Sequence, residues 1–202
     1  MRPHPASLMF GTLLVAACAT LAPESPDERV KAMVARLGGT FEIDSSVPGS
    51  PLVKIDLHRS DVTDADLALL ARLGTLRELD LRLTGVSDAG VRHLAGLTRL
   101  ETLNLFRTKL TDSGLESLSE LTGLRTLLIG GTGVTDEGLA HLRRFDHLRK
   151  LSVFDTAVSD EGIPRLAALP SLEILLIGKS GISESGAAEL QRRKPRISFR
   201  EM

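Results

Sequence analysis

The feature that most constrains this chain is a period of 24 residues. It reads VTDADLALLARLGTLRELDLRLTG from Val62, VSDAGVRHLAGLTRLETLNLFRTK from Val86 and LTDSGLESLSELTGLRTLLIGGTG from Leu110. VTDEGLAHLRRFDHLRKLSVFDTA from Val134 and VSDEGIPRLAALPSLEILLIGKSG from Val158 follow without an insertion, and ISESGAAELQRR begins a further, partial unit at Ile182. A period of this length marks one supersecondary unit used again and again. Within a unit, Leu76, Leu79 and Leu81 space as a short strand with one face inward, and Leu67, Leu70 and Leu73 space as one stripe of a helix. Neither element can bury its apolar face alone, so neighbouring units must stack. The predicted architecture is an α/β solenoid, with a curved parallel sheet on the concave side and helices on the convex side. At about 4.8 Å between strands, six repeat strands span about 24 Å.

The pattern L-x-x-L-x-L-x-x-T-x-V-[ST]-D-x-G-L-x-x-L-x-x-L resembles the leucine-rich repeat, and the resemblance runs from residue 52 to about residue 190. It implies a protein-binding module whose ligand, a protein or peptide, meets the concave face. Short bacterial leucine-rich proteins are the nearer likeness. The TDxGL helix start also resembles the repeats of F-box leucine-rich adaptors in ubiquitin-dependent degradation. Residues 27–51 are too short for the three-helix F-box module, so that likeness is one of repeats only.

Several repeated polar positions have a scaffold role by their chemistry. Ser60, Thr84, Thr108, Thr132, Thr156 and Ser180 stand just after each strand, where a hydroxyl can satisfy the backbone of the bend. Thr63, Ser87, Thr111, Thr135, Ser159 and Ser183 read as helix N-caps. Asp64, Asp88, Asp112, Asp136 and Asp160 follow them, where the helix dipole favours a carboxylate. Neighbouring carboxylates in this row stand about 5 Å apart, without the alternating acidic run of a calcium loop. Gly90, Gly114, Gly138, Gly162 and Gly186 are expected to let helices pack closely.

The ends depart from the period. Residues 27–51 are expected to form an amino-terminal cap: Val30, Met33, Val34 and Leu37 have helical spacing, Gly38-Gly39 ends the helix, and Thr40 to Ile43 alternates as a strand. Residues 191–202 abandon the leucine positions with Arg192, Arg193, Lys194 and Arg196, and Ile197-Ser198-Phe199 offers a last edge strand. Solenoid ends need such polar caps.

Ahead of the cap stands an address. Residues 1–17, MRPHPASLMFGTLLVAA, hold Arg2 as their one fully charged side chain and then an apolar stretch from Ala6 to Ala17, the pattern of a secretory signal peptide. The stretch is shorter than the ~20 residues a helix needs to span a bilayer. Val15-Ala16-Ala17-Cys18 resembles the bacterial lipobox, which implies lipidation of Cys18 and a tether over residues 18–26. Ala19 in place of Asp favours the periplasmic face of an outer membrane. Alternatively, Ala17 and Ala19 bracket an ordinary A-x-A cleavage site, which would release a soluble secreted protein. Both readings are extracytoplasmic.

Composition narrows the function. With 25 Lys+Arg against 26 Asp+Glu, no Trp, no Tyr and six Phe, the chain lacks both the basic surplus and the stacking rings that nucleic acid binding uses. One cysteine makes neither an intramolecular disulfide nor a structural zinc site. His93 and His141 share a repeat position but stand two units apart, about 10 Å, too far to chelate one metal. No nucleophile elbow, H-E-x-x-H helix or P-loop occurs. The reading is a non-enzymatic protein with no catalytic residue, no metal and no cofactor.

The candidate site is therefore sought on the strand positions that point to the concave surface. One ladder reads Asp56, Asp80, Asn104, Leu128, Ser152, Leu176; the next reads His58, Arg82, Phe106, Gly130, Phe154, Gly178; the third reads Arg59, Leu83, Arg107, Gly131, Asp155, Lys179. The amino-terminal half is charged and the carboxy-terminal half is apolar with glycine gaps. Phe106 and Phe154 are expected to flank Gly130 and leave a slot for one apolar side chain, or else to fold down over residues such as Leu128. The candidate partner-binding residues are Phe106, Phe154, Gly130, Leu128, Leu176, Arg82, Arg107, Asp80 and Asn104.

Overall fold

The computed structural model describes residues 25–200. The signal segment 1–17, the lipidation candidate Cys18 and most of the tether lie outside the described residues, as do the last two residues of the chain. A single sheet of eight strands runs in chain order: β1 (Thr40–Ile43), β2 (Leu52–Asp56), β3 (Glu78–Asp80), β4 (Thr102–Asn104), β5 (Thr126–Leu128), β6 (Lys150–Ser152), β7 (Ile174–Leu176) and β8 (Ser198–Arg200). From β2 to β8 every pairing is parallel, and each residue faces the one 24 positions on: Leu79 opposes Leu103, Leu103 opposes Leu127, and Leu175 opposes Phe199. The strict sequence period thus becomes a strict register.

The convex side holds shorter helices than the leucine stripe suggests. They are α1 (Pro26–Arg36), α2 (Asp64–Leu67), α3 (Asp88–Val91), α4 (Asp112–Ser117), α5 (Ile163–Ala167) and α6 (Glu184–Arg193). Short 3₁₀ segments, such as Leu70–Arg72 and Gly138–Arg144, complete the inner units. The stripe is still met: Leu67, Leu70 and Leu73 are buried against Leu76, Leu79 and Leu81 in one continuous core. Phe145 occupies the place held by Leu73, Leu97, Leu121 and Leu169 in other units and is wholly buried.

The repeated hydroxyls do what their position predicts. Ser60, Thr84, Thr108, Thr132, Thr156 and Ser180 each donate to the carbonyl three residues earlier, at 2.5 to 2.8 Å. Each turn also forces one residue into the left-handed region: Arg59, Leu83, Arg107, Asp155 and Lys179 have φ between +54° and +58°, and Gly131 has +69°.

The acidic row has a second role beyond the helix dipole. Asp64 reaches the next unit, where its two oxygens accept the Ser87 N–H at 2.8 Å and the Ser87 hydroxyl at 2.5 Å. The same clamp joins Asp88 to Thr111, Asp112 to Thr135, Asp136 to Ser159 and Asp160 to Ser183. This gives the glycine row its reason: a Cβ on Gly90, Gly114, Gly138, Gly162 or Gly186 would overlap the carboxylate of the preceding unit. Successive convex segments do pack closely, and the space each glycine leaves is taken by the aspartate of the preceding unit. Burial pushes the Asp64 carboxyl up; the hydroxyl and N–H of Ser87, the N–H of Gly90 and the charge of Lys109 outweigh it and hold the pKa below 3.8.

The caps close the two ends. Ser25 accepts the Glu28 N–H to start α1, and Val30, Met33 and Val34 join the core. β1 pairs antiparallel with β2, placing Thr40 opposite Asp56 and Phe41 opposite Ile55. At the far end α6 buries Leu190, and β8 continues the register.

Candidate functional site

Constant register carries the three concave ladders across the sheet and decides which of their members meet. At the amino-terminal end the polar ladder turns back on its own backbone. Asp56, Asp80 and Asn104 accept the N–H groups of His58, Arg82 and Phe106 at 3.0, 3.0 and 3.1 Å. His58 Nδ1 also lies 2.7 Å from Asp56 Oδ1. Burial pushes the Asp56 carboxyl up, but the His58 hydrogen bonds and the charges of His58 and Arg82 hold its pKa below 3.8. Asp80 accepts from Asn104 Nδ2 at 3.1 Å and has Arg82 Nε at 3.6 Å. Asp80 thus orients two candidate residues.

Phe106 and Phe154 do not stand apart around an open slot. Their ring centroids lie 6.3 Å apart with planes tilted by 43°, an arrangement in which aromatic pairs attract. Glycines make room for it: a Cβ on Gly130 would stand 3.1 Å from the Phe106 ring and 2.8 Å from the Phe154 carbonyl, and one on Gly178 would stand 3.0 Å from the Phe154 ring. Arg107 lies over the Phe106 ring at 5.3 Å and Lys179 over the Phe154 ring at 5.7 Å, so a cation covers each aromatic face. Arg107 reaches Asp155 at 4.0 Å across Gly131, where a Cβ would strike its side chain at 2.5 Å. The Gly130-Gly131 pair therefore clears a path for one ring and one guanidinium.

An opening lies beside this pair. Phe106 forms one wall of a groove of about 350 Å³, a volume in the range of ligand sites. Leu128, Leu176, Asn104 and Ser152 line its sheet side, and Arg59, Arg82, Leu83 and Lys150 complete it. Of the sequence-predicted residues, Phe106, Leu128, Leu176, Arg82 and Asn104 meet here; Phe154, Gly130 and Arg107 belong to the adjoining ring cluster. The model for the family described as leucine rich repeat matches residues 75–95 and 97–119, and no curated protein matches the chain in sequence. Among solved structures, an internalin from Listeria monocytogenes is similar with a TM-score of 0.54 at 21% identity, over 87% of this chain and 55% of the internalin. A leucine-rich-repeat ectodomain of a receptor kinase from Arabidopsis thaliana is similar with a TM-score of 0.51 at 16% identity, over 78% of this chain and 94% of the ectodomain. The chain has the leucine-rich-repeat fold. It spans little more than half the length of the internalin, so the likeness concerns the solenoid alone.

Of the residues that line the groove of this leucine-rich-repeat solenoid, Arg59, Leu83 and Ser152 stand in the concave ladders read from the sequence without having been singled out as binding candidates, and Lys150 lies outside those ladders. Lys150 belongs to a further concave ladder, Lys54, Glu78, Thr102, Thr126, Lys150 and Ile174, one alternation before the first of the three. Strand alternation alone identifies it. Arg59 and Leu83 stand in the left-handed turn position and belong to the third concave ladder read from the sequence; the ladder puts them on the concave side, and the stacking of the units brings them to this groove.

Proposed function

We propose that this protein is a non-enzymatic binding module that recognises a protein or peptide on its concave face and is held in a bacterial cell envelope by a lipid on Cys18. The leucine-rich-repeat fold generally serves protein interaction, and one observation supports this use here: an apolar groove walled by Phe106 opens on the concave sheet. Aromatic residues, Phe included, are enriched in protein interfaces relative to the rest of the surface. The signal-like segment and Val15-Ala16-Ala17-Cys18 support the address. Two acyl chains hold a protein on a membrane where one does so only marginally.

Crosslinking in native membranes tests the module. Phe106→Ser with Phe154→Ser is expected to leave the fold intact by circular dichroism and to abolish partner capture. Unchanged capture sinks the reading and leaves a structural envelope protein without a specific ligand. Detergent phase partitioning tests the anchor: Cys18→Ser should move the protein from the detergent phase to the aqueous phase, and equal partitioning of the two forms would leave a secreted soluble protein.

A further inference from the structure

Lys150 and Ser152 lie one alternation apart on β6 and line the same groove. Lys150 forms no ion pair among the described residues. Ser152 is 1% exposed, and its Oγ has no hydrogen-bond partner among the described residues. A buried hydroxyl without a partner is a standing cost that an incoming acceptor removes. Leu128 and Leu176 oppose Ser152 on the neighbouring strands, so a small polar residue sits between two large apolar ones. Arg59, Arg82 and Lys150 are the charged residues of the lining, and no carboxylate is among them.

We propose, resting on the concave-face reading, that this groove takes the carboxy-terminal residue of a partner polypeptide. Its apolar side chain packs between Leu128, Leu176 and Phe106, its free carboxylate pairs with the Lys150 ammonium, and the Ser152 hydroxyl donates to the same carboxylate. A chain terminus fits this arrangement better than an internal acidic residue. In an extended segment, adjacent side chains point to opposite faces and those that share a face stand two residues, roughly 7 Å, apart, so an internal acidic side chain and an apolar one reach the groove only from separated Cα atoms. A last residue carries its carboxylate and its apolar side chain on one Cα. Charge complementarity argues the same way, because a single anionic group beside an apolar body matches a mainly apolar groove with cations in its lining.

Hexapeptide pools with a fixed last residue, Leu, Phe or Asp, and random residues before it test the proposal, each prepared as free acid and as amide and titrated by fluorescence anisotropy against the folded protein. The Leu and Phe acids are expected to bind at least tenfold more tightly than their amides and than the Asp acid. Lys150→Met should erase the difference between acid and amide, and Ser152→Ala should narrow it. Equal binding of acids and amides overturns the proposal, as does a preference that survives Lys150→Met. Failure of every pool to bind overturns it too, while capture by the protein with and without Phe106 and Phe154 still decides the concave-face reading separately.

Discussion

The clamps between units make single aspartates carry much of the join from one repeat to the next. Asp136 is nearly buried and holds both the N–H and the hydroxyl of Ser159. Bonds of this kind to a charged acceptor contribute about 1.5–3 kcal/mol each. Asp136→Ala strands two donors, and we expect it to destabilise the fold by about 2–3 kcal/mol, read as a lower urea midpoint. Asp56, Asp64, Asp66 and Asp160 all have folded pKa values held below 3.8. A depressed carboxyl contributes stability that is fully present above its unfolded value and is lost as the pH falls through its folded value. The urea midpoint should therefore be flat above pH 5 and fall steeply below about pH 4, and Asp64→Asn should make that fall shallower. The left-handed turn positions run the other way. Lys179 is exposed with φ +56°, a conformation that costs an L residue about 1–2 kcal/mol. Lys179→Gly should raise the melting temperature, by roughly 0.5–1 kcal/mol of stability, and no rise would mean that its contact with Phe154 offsets the strain.

Each strand of the repeats is only three to five residues long, and the inner convex segments run from three to seven. Isolated helices of this length do not form in water; burial of Leu67, Leu70 and Leu73 against the sheet holds them. In a unit of 24 residues, strand, turn and return leave room for a short helix, which is why the leucine stripe predicts helical spacing without predicting one long helix. Phe145 is the place where this packing is most exacting. It is the largest of the fully buried side chains, in a layer otherwise made of leucine. Phe145→Ala should cost about 3–5 kcal/mol by denaturant unfolding, and Phe145→Leu should cost much less because its layer accepts leucine in the other units.

At the scale of the whole molecule, the solenoid is a row of units in which each touches its neighbours, so the caps matter more than their size suggests. Removing residues 26–51 uncovers Leu52, Ile55 and Leu57, all fully buried in the intact protein. It also frees the edge of β2 for pairing with other chains. We expect the truncated protein to aggregate, measured by light scattering, while the intact one stays dispersed. The groove is likewise a property of the assembled row, since its lining comes from every unit between β2 and β7. Changes that loosen the stack at Asp112 or Asp136 should therefore weaken partner capture without touching the groove itself.

By itself the sequence determined the solenoid, the parallel register, the inward leucines, the hydroxyls that close each turn and the positions facing the concave side. All of these follow from one period combined with strand and helix spacing, which are local properties of the chain. Whether Phe199 aligns with Leu175 was open in the sequence, because Pro195 and Pro170 stand one position out of phase; the sheet pairs them in register. Tertiary structure alone decided where side chains lean once the units stack. Asp64 turned out to serve the next unit as well as its own helix, because the turn of one repeat rests on the helix start of the one before. Phe106 and Phe154 closed on each other because glycines at 130 and 178 leave their rings room, and the groove opened instead beside them, next to Lys150 and Ser152. Rotamers depend on neighbours 24 and 48 residues away, and a ladder written from sequence carries the order of those neighbours but not their tilt.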